Sequence, residues 1–489
     1  MIELLRAGTP FLLVGICGAG MSSLAMLLRS IGMDVRGSDI ANDCIEAGRL
    51  ASLGIRVMSE GEAASVLRPD EVVVRSSAIH PDNPVLVAAG LVGTVVCHRT
   101  DVLAAIASQY YLIAVSGTHG KTTTSGMIGY ALAIQGLAPS ICVGGHIAGF
   151  DRSFPSEGAQ RARVQGRPIM VMETDESDGS FLKFHPDVAV VTNIDSDHLG
   201  TYGGKFSNLV DAFAQFSRQC AVRGGLIIGC GDDEEVTRIV QALPRRVLYG
   251  QKAGTQVRMQ YDLSRNTATV SRDGCDQLFV MERGDEKSYI NAVAACLACE
   301  ALGSSFSDTL HILEHFPGME RRMQVLADDG RIVVLTDHAD HPTEIRATLR
   351  AISARYPGRS LTVVLQPHRF SRVTMCLNDY GPALAGASQI VLLDVFPAGE
   401  TAECPAELNQ MLRESVRTAV GSSLVPQMPT EQMLDRLRLT AAPGDVILFM
   451  GPGDVNRLGL RFCGLLTSGN TVQYQGAELL GGHTKREND

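Results

Sequence analysis

Residues 111–136 read as an unbroken apolar run, YLIAVS, then Gly117-Thr118-His119-Gly120-Lys121-Thr122, then a helical stretch, TTSGMIGYALAIQG. A short apolar run against a glycine turn is a buried strand, and a turn that opens straight into a helix joins the two as one unit. This order commits the segment to a parallel α/β sheet, because parallel strands need a crossover connection. It also carries chemistry. The glycines let backbone N–H groups wrap an anion, and the helix N-terminus adds positive potential. G-x-x-G-K-T is a shortened phosphate loop, with Lys121 placed for β/γ-phosphates and the Thr122 hydroxyl for Mg²⁺. Gly117, Thr118, His119, Gly120, Lys121, Thr122 and Thr123 are the candidate ATP-binding residues.

The same alternation flanks this unit on both sides. Before it come the strands FLLVGI, DVRGSD, IRVMS, EVVVRSSAI and TVVCHR, with helical patterns MSSLAMLLRSIG and DCIEAGRLASLG between. After it come the strands PIMVME, DVAVVTNI and GGLIIGC, and the helix NLVDAFAQFSRQC. Residues 247–283 alternate as antiparallel edge strands, and SYINAVAACLACEALG is a helix. HFPGMERRMQ leads into a third set, with strands IVVLTD, LTVVLQP, QIVLLDV and DVILFMG and the helix PTEIRATLRAISARY. At roughly 150 residues per domain, 489 residues make about three. The expected fold is three α/β domains. A Rossmann-like domain spans 1–108, a P-loop ATPase-like domain with a parallel sheet spans 109–316, and a second Rossmann-like domain spans 317–467. The polar tail 468–489 is expected to be disordered.

Composition excludes several classes. With 45% hydrophobic and 20% charged residues the chain is not globally disordered. A net charge of −10 leaves no electrostatic footprint for nucleic acid or anionic membrane. The uncharged run Ala7–Leu28 lacks a basic lead and breaks at glycines, so neither a signal peptide nor membrane insertion is expected. Twelve scattered cysteines suit a reducing cytoplasm, and Cys296 and Cys299 read as buried helical thiols.

Further motifs fall at strand ends. Glu173-Thr174-Asp175-Glu176-Ser177-Asp178 follows PIMVM at the sheet edge where ligands bind in α/β folds. Its carboxylates are candidates for Mg²⁺ ligation beside the phosphate loop. Asp197-His198 follows the next strand, which makes His198 a candidate metal ligand or phosphate contact. Gly15-Ile16-Cys17-Gly18-Ala19-Gly20 stands between strand and helix, with Asp39 about 20 residues on, as a nucleotide-diphosphate site requires. Taken alone, that domain also reads as a nicotinamide dehydrogenase, which would have no use for Lys121. In the third segment Gln366-Pro367-His368-Arg369-Phe370-Ser371-Arg372 presents Arg369 and Arg372 for bidentate contact with anions. Arg321 and Arg322 lie in the link before it.

These segments occur in a specific order: VGICGAGMSSLA, RGSDI, SSAIHPDNP, SGTHGKTTT, ETDESDGSFL, VTNIDSDHLGTYGG, FPGMERR, HPTEI, LQPHRFSR, DVFPAGE and GDVILFMGPGD. From about Phe11 to Gly453 the chain resembles the Mur ligase family, most closely its MurC branch. The resemblance implies a first domain that binds a UDP-sugar through Gly15, Gly18, Ala19, Gly20, Met21, Ser22, Asp39, Ser76 and Ser77. It implies a central ATP domain to which Asn291 and Arg322 contribute, with metal on Thr122, Glu173 and His198. It implies a last domain that closes to bring in the amino acid, with His368, Arg369 and Arg372 at amino acid or phosphate. Lys121, Glu173, His198, Asp337, His341 and Arg369 would be the catalytic set. The implied reaction phosphorylates the lactyl carboxylate of UDP-N-acetylmuramate with ATP and Mg²⁺. The amine of L-alanine then attacks the acyl phosphate, in cytoplasmic peptidoglycan precursor synthesis. A monomer or weak homodimer is expected.

The chain departs from the family pattern at named places. Cys17 stands where a glycine is usual. Lys287 and Ser288 replace the start of an adenine-contacting H-N-x-x-N element, of which Asn291 remains. Thr336, His338 and Asp340 replace an Asp, a Tyr and a His around the retained Asp337 and His341. Two other readings therefore stand beside the first. One is a paralogue that ligates a different amino acid or acidic acceptor. The other is a nucleotide-binding regulator without turnover.

Overall fold

The computed structural model describes residues 5–6, 8–150, 153–154, 161–197, 199–262, 265–281, 284, 286–398, 400 and 404–467. The expected tail 468–489 therefore lies outside the described residues. The chain divides into two compact units, one ending at Met319 and the other beginning at Glu320. Three α/β sheets carry the fold, two in the first unit and one in the second.

The first sheet has five parallel strands in the order Arg56–Met58, Asp34–Ser38, Pro10–Val14, Val72–Arg75, Val95–His98. Its central strand is apolar on both faces because both faces are covered. Phe11 and Leu13 pack into one core with Leu24, Leu27 and Leu28, whereas Leu12 and Val14 pack into another with Val73, Val85 and Ala89. The strand order reverses beside Pro10–Val14, and such a switch point opens a crevice at the strand's C-terminal end. Gly15–Gly20 occupies that end, with Gly18 preceding the helix Ala19–Ser30.

The second sheet repeats the device on a larger scale. Tyr111–Ser116 lies between Val188–Val191 and Arg167–Glu173, parallel to both. Leu226–Cys230, Arg246–Gly250 and Val257–Asp262 extend it in parallel. Thr267–Arg272 and Cys275–Phe279 then close it as antiparallel edge strands; the expectation of antiparallel strands throughout 247–283 needs correcting, because Arg246–Gly250 and Val257–Asp262 pair in parallel and only the last two strands reverse. One core runs through both sheets, from Phe11 and Leu28 to Met172, Val191 and Phe213. That shared core is the physical reason the first two sheets form one unit.

The second unit orders its strands Gln324–Asp328, Val333–Asp337, Val446–Met450, Leu361–Leu365, Gln389–Leu392, with the first antiparallel and the rest parallel. Here too the strand residues alternate between two cores, Leu335, Val363 and Leu448 on one face and Val334, Val364 and Phe449 on the other. The helix Pro84–Val92 has no counterpart in the sequence reading. Its apolar residues surround the helix, so no amphipathic period marks it, and only Asn83 as N-cap and Pro84 at the first position announce it. No described helix is long and apolar enough to cross a membrane. Cys296 and Cys299 are buried on the helix Glu286–Glu300, and none of the twelve cysteines is in a disulfide.

Candidate active site

The phosphate loop stands at the C-terminal end of Tyr111–Ser116 and opens the helix Lys121–Ile134. Gly117 has φ 138°, and a Cβ there would collide with the Thr192 hydroxyl. Only glycine therefore suits the position. The loop is held from the neighbouring strand end as well as by its own side chains. Asn193 accepts from the His119 amide at 2.8 Å and donates to the His119 carbonyl at 2.9 Å. The Thr192 hydroxyl donates to the same carbonyl at 2.6 Å, and the Thr118 amide donates to the Asn193 carbonyl at 3.1 Å. Such bracing fixes the loop before any ligand arrives, which lowers the ordering cost of binding.

Lys121 folds back over the loop. Its ammonium donates to the Gly117 carbonyl at 2.6 Å, the Thr118 carbonyl at 3.1 Å and Glu176 at 3.1 Å. Glu176 is almost fully buried, and burial pushes its carboxyl up to about 7 despite the ammonium beside it. Thr122 donates to Glu173 at 2.8 Å, and the other Glu173 oxygen accepts from the Gly144 amide at 2.6 Å. Hydroxyl and carboxylate are hard oxygen donors, the kind that Mg²⁺ takes. The acidic run thus splits. Glu173 meets Thr122 and Glu176 meets Lys121. Asp175 and Asp178 accept from the Ser177 and Ser180 amides inside their own turns. His198, the third expected metal ligand, lies outside the described residues. Asn291 does reach the loop: a Cβ on Gly120 would sit 3.0 Å from its side-chain oxygen. Lys287 and Ser288 start the same helix, Glu286–Glu300, with Lys287 exposed.

At the first sheet's crevice, Gly15 takes φ 72° and its amide donates to the Ser38 carbonyl at 2.8 Å. Asp39 closes the turn, accepting from the Cys17 amide at 2.9 Å and the Ala41 amide at 3.0 Å. Its carboxylate is thereby a brace for the glycine turn as well as a candidate ribose contact. The Met21 side chain is buried in the core, and its amide lies in the first turn of the helix that the glycine turn opens. Cys17 has no positive φ, so the backbone here does not require the glycine that the family pattern favours. A Cβ on Gly20 would meet the Arg99 guanidinium at 2.6 Å, and Arg99 stands 3.8 Å from Asp175. Ser76 and Ser77 follow the neighbouring strand Val72–Arg75, with the Ser77 hydroxyl 3.4 Å from a ring nitrogen of His98.

The second unit gathers its own cationic cluster. Arg369 precedes the helix Phe370–Met375 with φ 68° and ψ 126°, a costly conformation for a side-chain-bearing residue. Its amide is held by the Phe396 carbonyl at 2.9 Å. Arg372 forms a close ion pair with Asp340, and both are largely buried. His368 stacks on Phe396 and lies 3.8 Å from Asp340. Burial, with Arg369 and Arg372 alongside, pushes His368 down to about 4. Asp337 is buried, and its oxygens accept from the Met323 amide at 2.7 Å and the Ala339 amide at 2.8 Å. His341 caps the helix Pro342–Arg355 through the Thr343 amide. Both therefore shape the 336–342 turn, and His338 within it is held neutral by burial and the Arg322 charge. Arg321 donates to the Gly451 and Pro452 carbonyls, which makes it a loop brace, while Arg322 acts on Asp337 by charge.

Sequence reading places Glu176 only among the carboxylates offered to Mg²⁺, not as the partner of Lys121, and assigns no role to Thr192, Asn193 and Arg99. The first three follow strands adjacent to the phosphate loop, so the available signal was their position at strand C-termini. Arg99 carried no signal of its own.

Comparison with known proteins gives a consistent result. The chain matches the family models "Mur ligase family, catalytic domain" over 11–111, "Mur ligase middle domain" over 115–299 and "Mur ligase, glutamate ligase domain" over 321–453. It is 38% identical over 459 residues to a UDP-N-acetylmuramate–L-alanine ligase of Gloeobacter violaceus, covering 91% of this chain and 93% of that one. It is 35% identical over 473 residues to the protein of that name from Halorhodospira halophila, covering 93% of each. Among solved structures, MurC of Thermotoga maritima, a UDP-N-acetylmuramate–alanine ligase, superposes with TM-score 0.79 at 25% identity, covering 94% of this chain and all of that one.

Proposed function

The chain belongs to the Mur ligase family, and from that premise we propose that it joins L-alanine to UDP-N-acetylmuramate with ATP as the energy source. The observation that carries this reading is the near-full-length match to relatives named for that reaction.

A lactyl carboxylate oxygen attacks the γ-phosphorus of ATP and ADP leaves. The alanine amine then attacks the acyl carbon, phosphate leaves, and the amine loses a proton. The braced loop 117–122 receives the phosphates on its amides, and Lys121 turns from Glu176 to the transferred phosphoryl group. Thr122 and Glu173 fit Mg²⁺ as hard oxygen donors; bound there, the ion would neutralise charge on phosphate oxygens. His198 is retained as a third candidate ligand. The Gly15–Gly20 turn, with Ala19, Ser22, Asp39, Ser76 and Ser77, takes the UDP-sugar, and Asn291 and Arg322 contribute to ATP. His368, Arg369 and Arg372 receive the amino acid or phosphate, supported by Asp337 and His341. Domain limits near 108 and 316, a cytoplasmic location and a monomer or weak homodimer complete the proposal.

Phosphate release from ATP, measured with UDP-N-acetylmuramate and a panel of amino acids, tests it. Release that depends on L-alanine is expected. Release with another amino acid or acceptor, and none with this pair, would overturn it.

A further inference from the structure

A cluster far along the chain from the phosphate loop has metal-ligand chemistry that the ligase reaction does not use. We propose that His311, Glu314 and His315 form a binding site for a borderline divalent cation of the zinc type. The run His311-Ile312-Leu313-Glu314-His315 ends the helix Phe306–Glu314, with His315 as its C-cap. Spacings of i, i+3 and i+4 put all three side chains on one face. One ligand atom from each lies within 4.8 Å of the others. His311 Nδ1 and Glu314 Oε2 are already 2.9 Å apart, and the two imidazole centroids are 5.9 Å apart. A tetrahedral ion with bonds of about 2.0–2.1 Å needs ligand atoms about 3.4 Å apart, which rotation of the exposed imidazoles reaches.

The donor set names the class of ion. Two imidazoles and one carboxylate suit zinc, cobalt, nickel or copper, whereas magnesium takes hard oxygens. The site therefore differs in chemistry from the Thr122–Glu173 pair. The helix end adds negative potential from its last carbonyls, which favours a cation. With His311 and His315 exposed, a fourth position on the ion would be left to water.

Its position gives occupancy a consequence. The His315 carbonyl accepts from the Tyr130 hydroxyl at 3.5 Å, and Tyr130 meets the Phe316 ring edge-on at 5.4 Å. Four residues later Met319 closes against Gly126 on the helix that the phosphate loop opens. An ion that crosslinks His311 to His315 holds the last helical turn and the strand of chain that ends the first unit.

Cobalt(II) titrated into the full-length protein in excess Mg²⁺, followed by visible absorption, tests the site. The wild type should bind one more cobalt per chain than the His311→Gln/His315→Gln double variant. That extra ion should show bands of histidine and carboxylate ligation without thiolate charge transfer and be displaced by zinc. Glu314→Gln, which keeps both histidines, should bind cobalt more weakly. Zinc should slow amide exchange across 311–319 in the wild type and leave the double variant unchanged. Equal cobalt uptake by wild type and double variant would overturn the proposal, as would a cobalt spectrum dominated by thiolate. Uptake without added protection of 311–319 would overturn the assigned location. All three side chains lie at least partly in solvent, and circular dichroism verifies that the variants fold.

Discussion

Lys121 Nζ stands 2.9 Å from a Glu176 carboxylate oxygen that solvent barely reaches. The cation expected at the phosphates is thus held by an internal anion when no nucleotide is present. Burial raises the Glu176 carboxyl to about 7, so near neutrality this anion is easily given up. Lys121→Ala is expected to lower kcat by about 100-fold or more, because it removes charge stabilisation of the transferred phosphoryl group. Glu176→Gln leaves the Lys121 charge without its partner. The melting temperature of the nucleotide-free variant should fall, and ATP should raise it more than in the wild type. An equal ATP-induced rise in both proteins would contradict the competition between carboxylate and phosphate.

Gly117 carries a different load. Its φ of 138° and its closeness to Thr192 leave no place for a Cβ. Gly117→Ala should cost about 1–3 kcal/mol in unfolding free energy through backbone strain. Displacing Thr192 also removes one of the two hydrogen bonds on the His119 carbonyl, so ATP turnover should fall with it. Denaturant curves and phosphate release measure the two effects on the same sample.

Glu173 ties Thr122 to Gly144. Glu173→Gln keeps the shape and one acceptor oxygen for the Gly144 amide, turns its NH₂ toward the Thr122 hydroxyl as a donor, and removes the charge. The Mg²⁺ concentration that gives half-maximal rate should rise several-fold, with a smaller effect on stability. A Mg²⁺ titration of the rate at saturating ATP reads this directly.

Arg369 separates stability from activity. At φ 68° and ψ 126° its backbone is strained by about 1–3 kcal/mol, a strain that glycine does not feel. Arg369→Gly should hold or raise the melting temperature while lowering turnover. Loss of both together would mean that the guanidinium serves the fold and not the reaction.

His368 supplies a pH dependence. Its folded value near 4 lies below the ordinary 6.5, because burial and the Arg369 and Arg372 charges disfavour the imidazolium. A depressed histidine binds fewer protons folded than unfolded. Its contribution to stability is therefore complete above about 6.5 and is lost as pH falls from there to about 4. His368→Gln should flatten that part of the melting-temperature profile between pH 6.5 and 4. NMR titration of the ring should show no protonation above pH 5.

Local order was legible in the sequence because it depends on local chemistry. An apolar run, a glycine turn and a helical period define strand, anion loop and helix within a dozen residues, and the three repeats of that grammar identified three α/β domains. The loops at Gly15–Gly20 and Gly117–Thr122 were readable for the same reason, since only glycine allows those turns. Tertiary structure decided which strand ends stand side by side. Asn193 lies 74 residues from His119, and Glu176 lies 55 from Lys121; each pair meets only because strands 188–191 and 167–173 flank 111–116. The ion pair of Asp340 with Arg372, the place of Asp337 on backbone amides and the single core joining the first two sheets have the same origin. Strand order is chosen by burial across the whole sheet, and no local pattern of residues carries that information.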